Sequence, residues 1–348
     1  MRPLVAIDAD VLGRERTGDE TYVHNLLREL AALEHGLELA AVTRRPELVP
    51  DGIRPVALHA RSQPIRMGSR LPLLLRRLGP ELAHFLYVVP PAYRGRAVVT
   101  VQDLSFERHP ELMGPRDRFF FRTFVPPSVR RADRVLTGSE WTKHDLVERY
   151  TVREDKIVVT PYGVDPVFRP AGWSRDAPPY VLFVGGLEPR KNPVAALEAV
   201  ALADSGLRLV VVGPTKRGRE DVQRAIARLG LHGRVELRGH VTREELAALY
   251  RGASCLVFPS RYEGFGLPVV EAMASGTPVV ATRTSSVPEV AGDAAILVDP
   301  GDAAMLAEGI ERALADRERL RVAGLERARS FSWAETARLT LDVYRELV

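Results

Sequence analysis

Cysteine is nearly absent. Cys255 is the single one in 348 residues, so no internal disulfide can form and a reducing, cytoplasmic setting is expected. It lies in the run SCLVFPS, an apolar, strand-like context that suits a buried core thiol better than a nucleophile. Long apolar runs are missing too. No stretch reaches the roughly 18 uncharged apolar residues that a membrane-spanning helix needs, and the opening MRPLVAIDADVLG is too short in its apolar part for a secretory signal and reads as a buried first strand. No glycine-flanked serine nucleophile occurs, and the 8 histidines show no close metal-ligand spacing. No GxGxxG fingerprint with an acidic residue about 20 positions on is present, so a nucleotide-cofactor oxidoreductase has no support. Lysine is scarce, and the formal charge of +4 rests almost wholly on arginine. Such a balance suits phosphate-bearing ligands or an anionic membrane surface; nucleic acid is not an expected partner.

What is present is an ordinary globular composition, 45% hydrophobic and 27% charged, over a length sufficient for two domains. Short apolar runs alternate with helix-length amphipathic segments throughout, the pattern of parallel sheets flanked by helices. Strands are expected at 4–8, 37–42, 82–85, 97–101, 134–137 and 157–160, with helices at 22–32, 116–131 and 140–150. The proline-rich stretch 166–179, PVFRPAGWSRDAPP, is the linker candidate. A second series has strands at 180–184, 207–212, 235–238, 255–258, 278–282 and 294–298, and helices at 193–203, 221–229, 244–251, 268–274 and 303–315. The expected architecture is α/β, with two doubly wound Rossmann-like domains facing across a cleft. Ligands bind at the carboxyl ends of the strands in such sheets.

Three segments carry chemistry. RYEGFGLPVVEAMASGTPVVAT reads as a strand end, a Gly-rich turn, a short helix opening with Pro268 and a further strand. The turn's amides and the positive end of the helix dipole form a natural anion site. Glu263 in the turn can accept hydrogen bonds from sugar hydroxyls, and Glu271 in the helix can bind a vicinal diol such as ribose. YVLFVGGLEPRKNPVAALEAV places Arg190 and Lys191 in a loop before a helix, where paired cations would neutralise a departing diphosphate. In IDADVLGRERTGDETYVHNLLREL a loop precedes a helix starting near Thr21, and Gly18 in that loop would let the backbone approach a phosphate. Taken singly, Glu263 and Glu271 also fit a solvated turn and a helix-face charge, and Arg190-Lys191 fits an exposed basic loop answering Glu188.

Together with VVVGP, PYGVD at 161–165, SEWTKHDLVERY at 139–150 and SVPEVAGDAAILVDP at 286–300, these motifs resemble the family 4 glycosyltransferases of the GT-B fold, in the family's order and spacing. The resemblance covers nearly the whole chain. It implies a retaining, metal-independent hexosyltransferase that uses a nucleotide diphosphate sugar as co-substrate and no cofactor. The implied domains are 1–168 on the acceptor side, 169–330 binding the donor, and a final helix within 331–348 that crosses back to the first domain. Matched position by position, Arg190 and Lys191 would hold the diphosphate and Glu271 the ribose. Glu263 with the backbone of Phe265, Gly266 and Leu267 would hold the sugar. Gly239, His240 and Val241 would read the base, and Gly18 would close on the phosphates. The GGLEPRKN variant resembles bacterial mannosyltransferases, so GDP-mannose is the first donor expected and UDP-glucose the second, with a glycan or lipid-linked acceptor.

Two positions depart from the family. Gln102-Asp103 stands where a His-Asp pair is common, and glutamine neither gives nor takes a proton near neutral pH. Retaining transfer then needs the donor's own phosphate oxygen to receive the acceptor proton, with Gln102 and Asp103 positioning the reactants; a non-catalytic nucleotide-sugar binding protein is the alternative. Gly186 replaces a frequent arginine and leaves more of the diphosphate charge to Arg190 and Lys191. Asp8-Ala9-Asp10 mimics a metal-binding DxD, but at a strand end it suits loop ordering better. GPTKRGRE at 213–220 has P-loop glycine spacing, with Arg219-Glu220 in place of Lys-Ser/Thr. The stretch 64–79, PIRMGSRLPLLLRRLG, fits either a half-buried helix or peripheral contact with an anionic membrane at its inner face.

Overall fold

The computed structural model describes residues 2–14, 17–170, 179–203, 206–215 and 218–348. The centre of the expected linker, 171–178, and positions 216–217 of the P-loop-like segment lie outside the described residues. The chain divides into two compact units, 1–163 with 332–348, and 164–331. Each is an α/β unit on one parallel sheet.

The first unit contains β1 (Leu4–Asp8), β2 (Glu38–Thr43), β3 (Arg54–Ala57), β4 (Leu82–Leu86), β5 (Arg96–Thr100), β6 (Arg134–Thr137) and β7 (Ile157–Val159), in the order β3-β2-β1-β4-β5-β6-β7. Its helices up to residue 163 are α1 (Thr17–Ala32), α2 (Gln63–Ile65), α3 (Leu71–Leu78), α4 (Ser105–Arg108), α5 (Pro115–Arg131) and α6 (Glu140–Tyr150). The expected strands are all found, with ends shifted by a residue at most. β3 has no counterpart among them because RPVA at the sheet edge is mostly exposed, so no apolar run marks it, and Pro55 is tolerated there. α1 opens at Thr17, earlier than expected, so Gly18 lies in the helix's first turn and not in the preceding loop.

The second unit contains β8 (Tyr180–Val184), β9 (Arg208–Val212), β10 (Val235–Gly239), β11 (Cys255–Phe258), β12 (Val279–Thr282) and β13 (Ile296–Val298), in the order β10-β9-β8-β11-β12-β13. Its helices are α7 (Pro193–Leu202), α8 (Arg219–Arg228), α9 (Arg243–Gly252), α10 (Leu267–Ala274), α11 (Val287–Ala291), α12 (Ala303–Ala315) and α13 (Arg317–Ala328). α13 was not legible in the sequence. It buries only Leu320, Gly324 and Ala328, a stripe too narrow to stand out among its charges. Cys255 is buried in this unit's core with Val181, Val257 and Val280, and burial pushes its thiol up to about 12, which leaves it unreactive.

The last helix, α14 (Trp333–Leu347), belongs to the first unit. Trp333 stacks on Tyr162 at 5.8 Å between centroids, and Tyr162 packs on Tyr22 of α1 at 5.0 Å. The approach is so close that a Cβ on Gly163 would lie 2.0 Å from the Trp333 nitrogen, so only glycine fits. Deeper in this unit, His84 bonds Tyr344 of α14 at 2.6 Å and Thr100 at 2.7 Å, and Thr100 bonds Tyr22 at 3.0 Å. Burial holds the His84 ring down to about 3, so it stays neutral and the chain of hydrogen bonds carries no charge.

Candidate active site

Both sheets reverse their strand order once, between β1 and β4 in the first unit and between β8 and β11 in the second. The crevice at such a reversal is where open α/β sheets bind ligands. In the second unit, the loop after β8 carries Arg190 and Lys191 and the loop after β11 carries Glu263. The structure brings these three together. Lys191 Nζ donates to Glu263 Oε1 at 2.6 Å. Arg190 Nη1 donates to Glu263 Oε2 at 3.1 Å and to the Tyr262 carbonyl at 2.9 Å. Burial opposes the charge on Glu263, but the neighbouring Lys191 and Arg190 cations outweigh it and hold the carboxyl below its usual range. Burial also draws Lys191 below the usual lysine range, with Glu263 acting against that shift. The ammonium lies 5.5 Å from the Phe258 ring centroid, a cation–π contact that offsets part of its lost hydration.

Local backbone chemistry explains the loop. Gly185 and Gly213 lie back to back, and a Cβ on Gly213 would fall 2.2 Å from the Gly185 oxygen. Asn192 adopts a left-handed φ of 55° just before Pro193 opens α7. Gly186 sits in the same loop, where a Cβ would meet only ordinary contacts at 3.6 Å and beyond. After β11 the chain turns through Gly266, φ 105°, into α10. Phe265 is buried, with its ring edge-on to Phe331 at 5.5 Å, and Leu267 begins the helix.

Glu271 lies within α10 and is buried. Burial pushes it up to about 7, against the hydrogen bond from Tyr250 and the charge of Arg243. The Tyr250 hydroxyl donates to Oε2 at 2.9 Å, and Arg243 is itself ion-paired with Asp165 of the PYGVD motif. Gly239 ends β10 with φ 67°, and its carbonyl accepts the Gly213 N–H at 2.8 Å. His240 is exposed and Val241 half-buried ahead of the Thr242–Glu245 capping box of α9.

In the first unit, Gly18 and Gln102 come together: the Gln102 Oε1 lies 3.8 Å from where a Gly18 Cβ would stand. Gln102 is nine-tenths buried, and its Nε2 has no partner among the described residues. Asp103 turns elsewhere. Its Oδ1 accepts from the Ser105 N–H at 2.9 Å and from the Ser105 hydroxyl at 2.8 Å, fixing the turn into α4. Asp8 and Asp10 are spent on guanidinium groups: Arg66 binds Asp8, and Arg44 holds both oxygens of Asp10 at 2.8 and 3.2 Å. Arg66 comes from the 64–79 stretch and is buried. His144, Asp145 and Glu148 bring three ligand atoms near one another, but Arg108 already binds both carboxylates. Tyr250 meets Glu271, and Ser285 and Ser286 meet the Glu263 backbone; none of the three is among the residues expected from sequence, and the signal for the serines is the hydroxyl-rich TRTSS that begins at the end of β12.

The family model described as Glycosyltransferase Family 4 matches residues 16–168, and that described as Glycosyl transferases group 1 matches residues 167–330. The chain is 31% identical over 334 residues to the O-antigen chain mannosyltransferase B of Escherichia coli, covering 91% of this chain and 84% of that one. It belongs to the family 4 glycosyltransferases. Several further relatives match over a shorter region; with a D-inositol 3-phosphate glycosyltransferase of Streptomyces bingchenggensis the identity is 36% and the match spans 63% of this chain and about half, 54%, of that protein. Among solved structures, the sucrose-phosphate synthase of Thermosynechococcus elongatus superposes with a TM-score of 0.82 at 24% identity, over 100% of this chain and 99% of that one. Anabaena Alr3699/HepE in complex with UDP-glucose superposes with a TM-score of 0.77 at 16% identity, over 100% of both. This glycosyltransferase has the GT-B fold. Among its described residues no helix is long and apolar enough to cross a membrane.

Proposed function

We propose that this glycosyltransferase moves a hexose from a nucleotide diphosphate sugar to an acceptor hydroxyl with retention of anomeric configuration and without a metal ion. The observation that carries the proposal is the convergence of Lys191 and Arg190 on Glu263 at the strand-order reversal of the second sheet. Two cations there supply the positive charge that a departing diphosphate needs, and the carboxylate beside them accepts hydrogen bonds from sugar hydroxyls. Glu271 receives the ribose diol, and the turn at Gly239, His240 and Val241 meets the base. The backbone of Phe265, Gly266 and Leu267 closes around the sugar. On this reading the second unit is the donor domain. In the first unit, proposed as the acceptor domain, Gly18 and Gln102 are the residues assigned to the reaction, and Asp103 orders the turn into α4. The bond from the anomeric carbon to the β-phosphate oxygen breaks, its electron pair leaves with the diphosphate, and the acceptor oxygen bonds to the same face. The acceptor proton passes to the departing phosphate oxygen, because Gln102 cannot take it.

Mannose is the first sugar proposed, supported by the similarity to the O-antigen chain mannosyltransferase. Glucose is second, supported by the UDP-glucose complex of a protein with the same fold. The acceptor is proposed to be a glycan or a lipid-linked glycan. Peripheral contact with an anionic membrane surface is proposed for Ile65 and Leu73, both exposed beside arginines of the 64–79 stretch.

The test is calorimetry and initial rates with GDP-mannose and UDP-glucose, with and without EDTA, on wild type and Lys191→Ala. The expected result is binding of one donor that ignores EDTA and is lost in the variant, with NMR of the product showing the donor's anomeric configuration. Inversion would overturn the stereochemical reading. Donor binding without transfer to any glycan acceptor and without slow hydrolysis would favour a binding protein.

A further inference from the structure

The loop that carries Glu263 is fastened to the rest of the second unit by four hydroxyl side chains at and just after the end of β12. Thr282 Oγ1 donates to the Ser260 carbonyl, and Thr284 Oγ1 donates to the Arg261 carbonyl at 2.9 Å. Ser285 Oγ accepts the Glu263 N–H at 2.7 Å. Ser286 Oγ reaches the Glu263 carbonyl at 2.9 Å and the Phe265 carbonyl at 3.1 Å, so its one proton serves both. The backbone from Ser260 to Phe265 is therefore gripped by four side chains from a single neighbouring segment. Ser285 and Ser286 are both buried, where a lost hydrogen bond is not replaced by water. Ser285 also stands at φ 45°, a left-handed backbone that strains a residue other than glycine. A glycine would relieve that strain and remove the acceptor together, so Ser285→Gly is compared with Ser286→Ala and Thr284→Val, which remove a hydroxyl at positions without that strain.

The grip matters because the Glu263 carboxylate is otherwise aimed by Lys191 and Arg190, the two cations proposed to turn to the diphosphate. We propose that Thr284, Ser285 and Ser286 are positioning residues for the sugar end of the donor site, holding the Glu263 and Phe265 backbone in place while those cations engage the phosphates. The role rests on the donor-site reading above; the grip itself does not.

Ser285→Gly, Ser286→Ala and Thr284→Val separate the possibilities. Hydrogen–deuterium exchange of the ligand-free protein reads the grip directly, and the expected outcome is faster exchange confined to the peptide around 260–266. Calorimetry with GDP and UDP is expected to stay within about twofold of wild type, while the extra affinity for the matching nucleotide sugar is lost. Turnover is expected to fall about 10- to 100-fold, with kcat changing more than KM, as small misplacements of reacting groups do. Unchanged exchange at 260–266 would overturn the grip whatever the donors do. Faster exchange with unchanged kcat would overturn the positioning role. If wild type bound neither nucleoside diphosphate nor nucleotide sugar, the donor-site reading and the positioning role would fall together, with the exchange result still deciding the grip. Thr284→Val, which removes the least buried of the three hydroxyls, keeps the measurement open should Ser286→Ala not fold.

Discussion

Lys191 Nζ lies 2.6 Å from Glu263 Oε1, and the two residues arrive there from loops 72 residues apart in sequence. The side chain proposed to meet the diphosphate is thus already paired with the one proposed to meet the sugar. Without ligand, each neutralises the other, and the site holds its geometry without leaving a charge buried alone.

That pairing makes Lys191→Ala a stability variant as well as a site variant. Removing Lys191 leaves the buried Glu263 carboxylate with Arg190 as its remaining cation, at a cost of about 3 kcal/mol, the low end for breaking a buried pair. The Lys191→Ala/Glu263→Gln double variant should recover part of that loss. Chemical denaturation of the four proteins of the cycle gives the coupling energy, and strictly additive losses would count against the pair.

Glu271 sets a pH dependence. Its carboxyl is pushed up to about 7 by burial, whereas ribose hydroxyls donate to the ionised form. Donor affinity should therefore rise between pH 6 and 8, by about tenfold per unit at most below the pKa. In Glu271→Gln the rise should vanish. The same shift has a stability consequence of opposite sense. A folded-state value above the unfolded one means that the folded protein holds the proton longer, so this group's contribution is greatest below the unfolded value near 4.5 and is lost as pH climbs through about 7. Melting curves of wild type and Glu271→Gln across that window check the sign.

Gly186→Arg should be tolerated and should strengthen the site. The nearest atoms to a Cβ there are of the Glu188 side chain and the Pro214 carbonyl, at 3.6 to 3.7 Å, which is ordinary contact. A third cation near Arg190 and Lys191 is expected to tighten nucleoside diphosphate binding by about 1 kcal/mol, roughly fivefold. The gain should shrink as salt is raised, which calorimetry at two ionic strengths would show.

Gly163→Ala should release α14 from its seat. The new methyl would fall 2.0 Å from the Trp333 nitrogen, a backbone atom that cannot swing aside, and the expected loss is at least about 3 kcal/mol. Limited proteolysis should cut near residue 332 in the variant and spare the wild type. Equal resistance would mean that the close approach relaxes cheaply.

Much of this was readable in the chain itself. Buried parallel strands are apolar along their whole length, so runs such as VLFV at β8 and CLVF at β11 announced themselves, as did the proline and glycine that punctuate the start of α10. β3 and α13 escaped because an edge strand and a narrowly buried helix hide too few apolar side chains to leave a period. Gly18 lies in the first turn of α1 and not in the expected loop, because glycine and Asp19 resemble a loop until the fold puts them at a helix start.

The order of strands and helices, the punctuation of the loops and the residue types at the strand ends are local properties, and the sequence by itself determined them. Only the tertiary structure decided that Lys191 and Arg190 close on Glu263, that Tyr250 meets Glu271, that Arg66 is drawn inward to Asp8, and that the hydroxyls after β12 grip the loop after β11. Each of these joins side chains or backbone groups far apart in the chain, and each energy depends on burial. A carboxylate at position 263 or 271 acquires its charge state from neighbours and desolvation, and those exist only once the sheet has brought separate strand ends together.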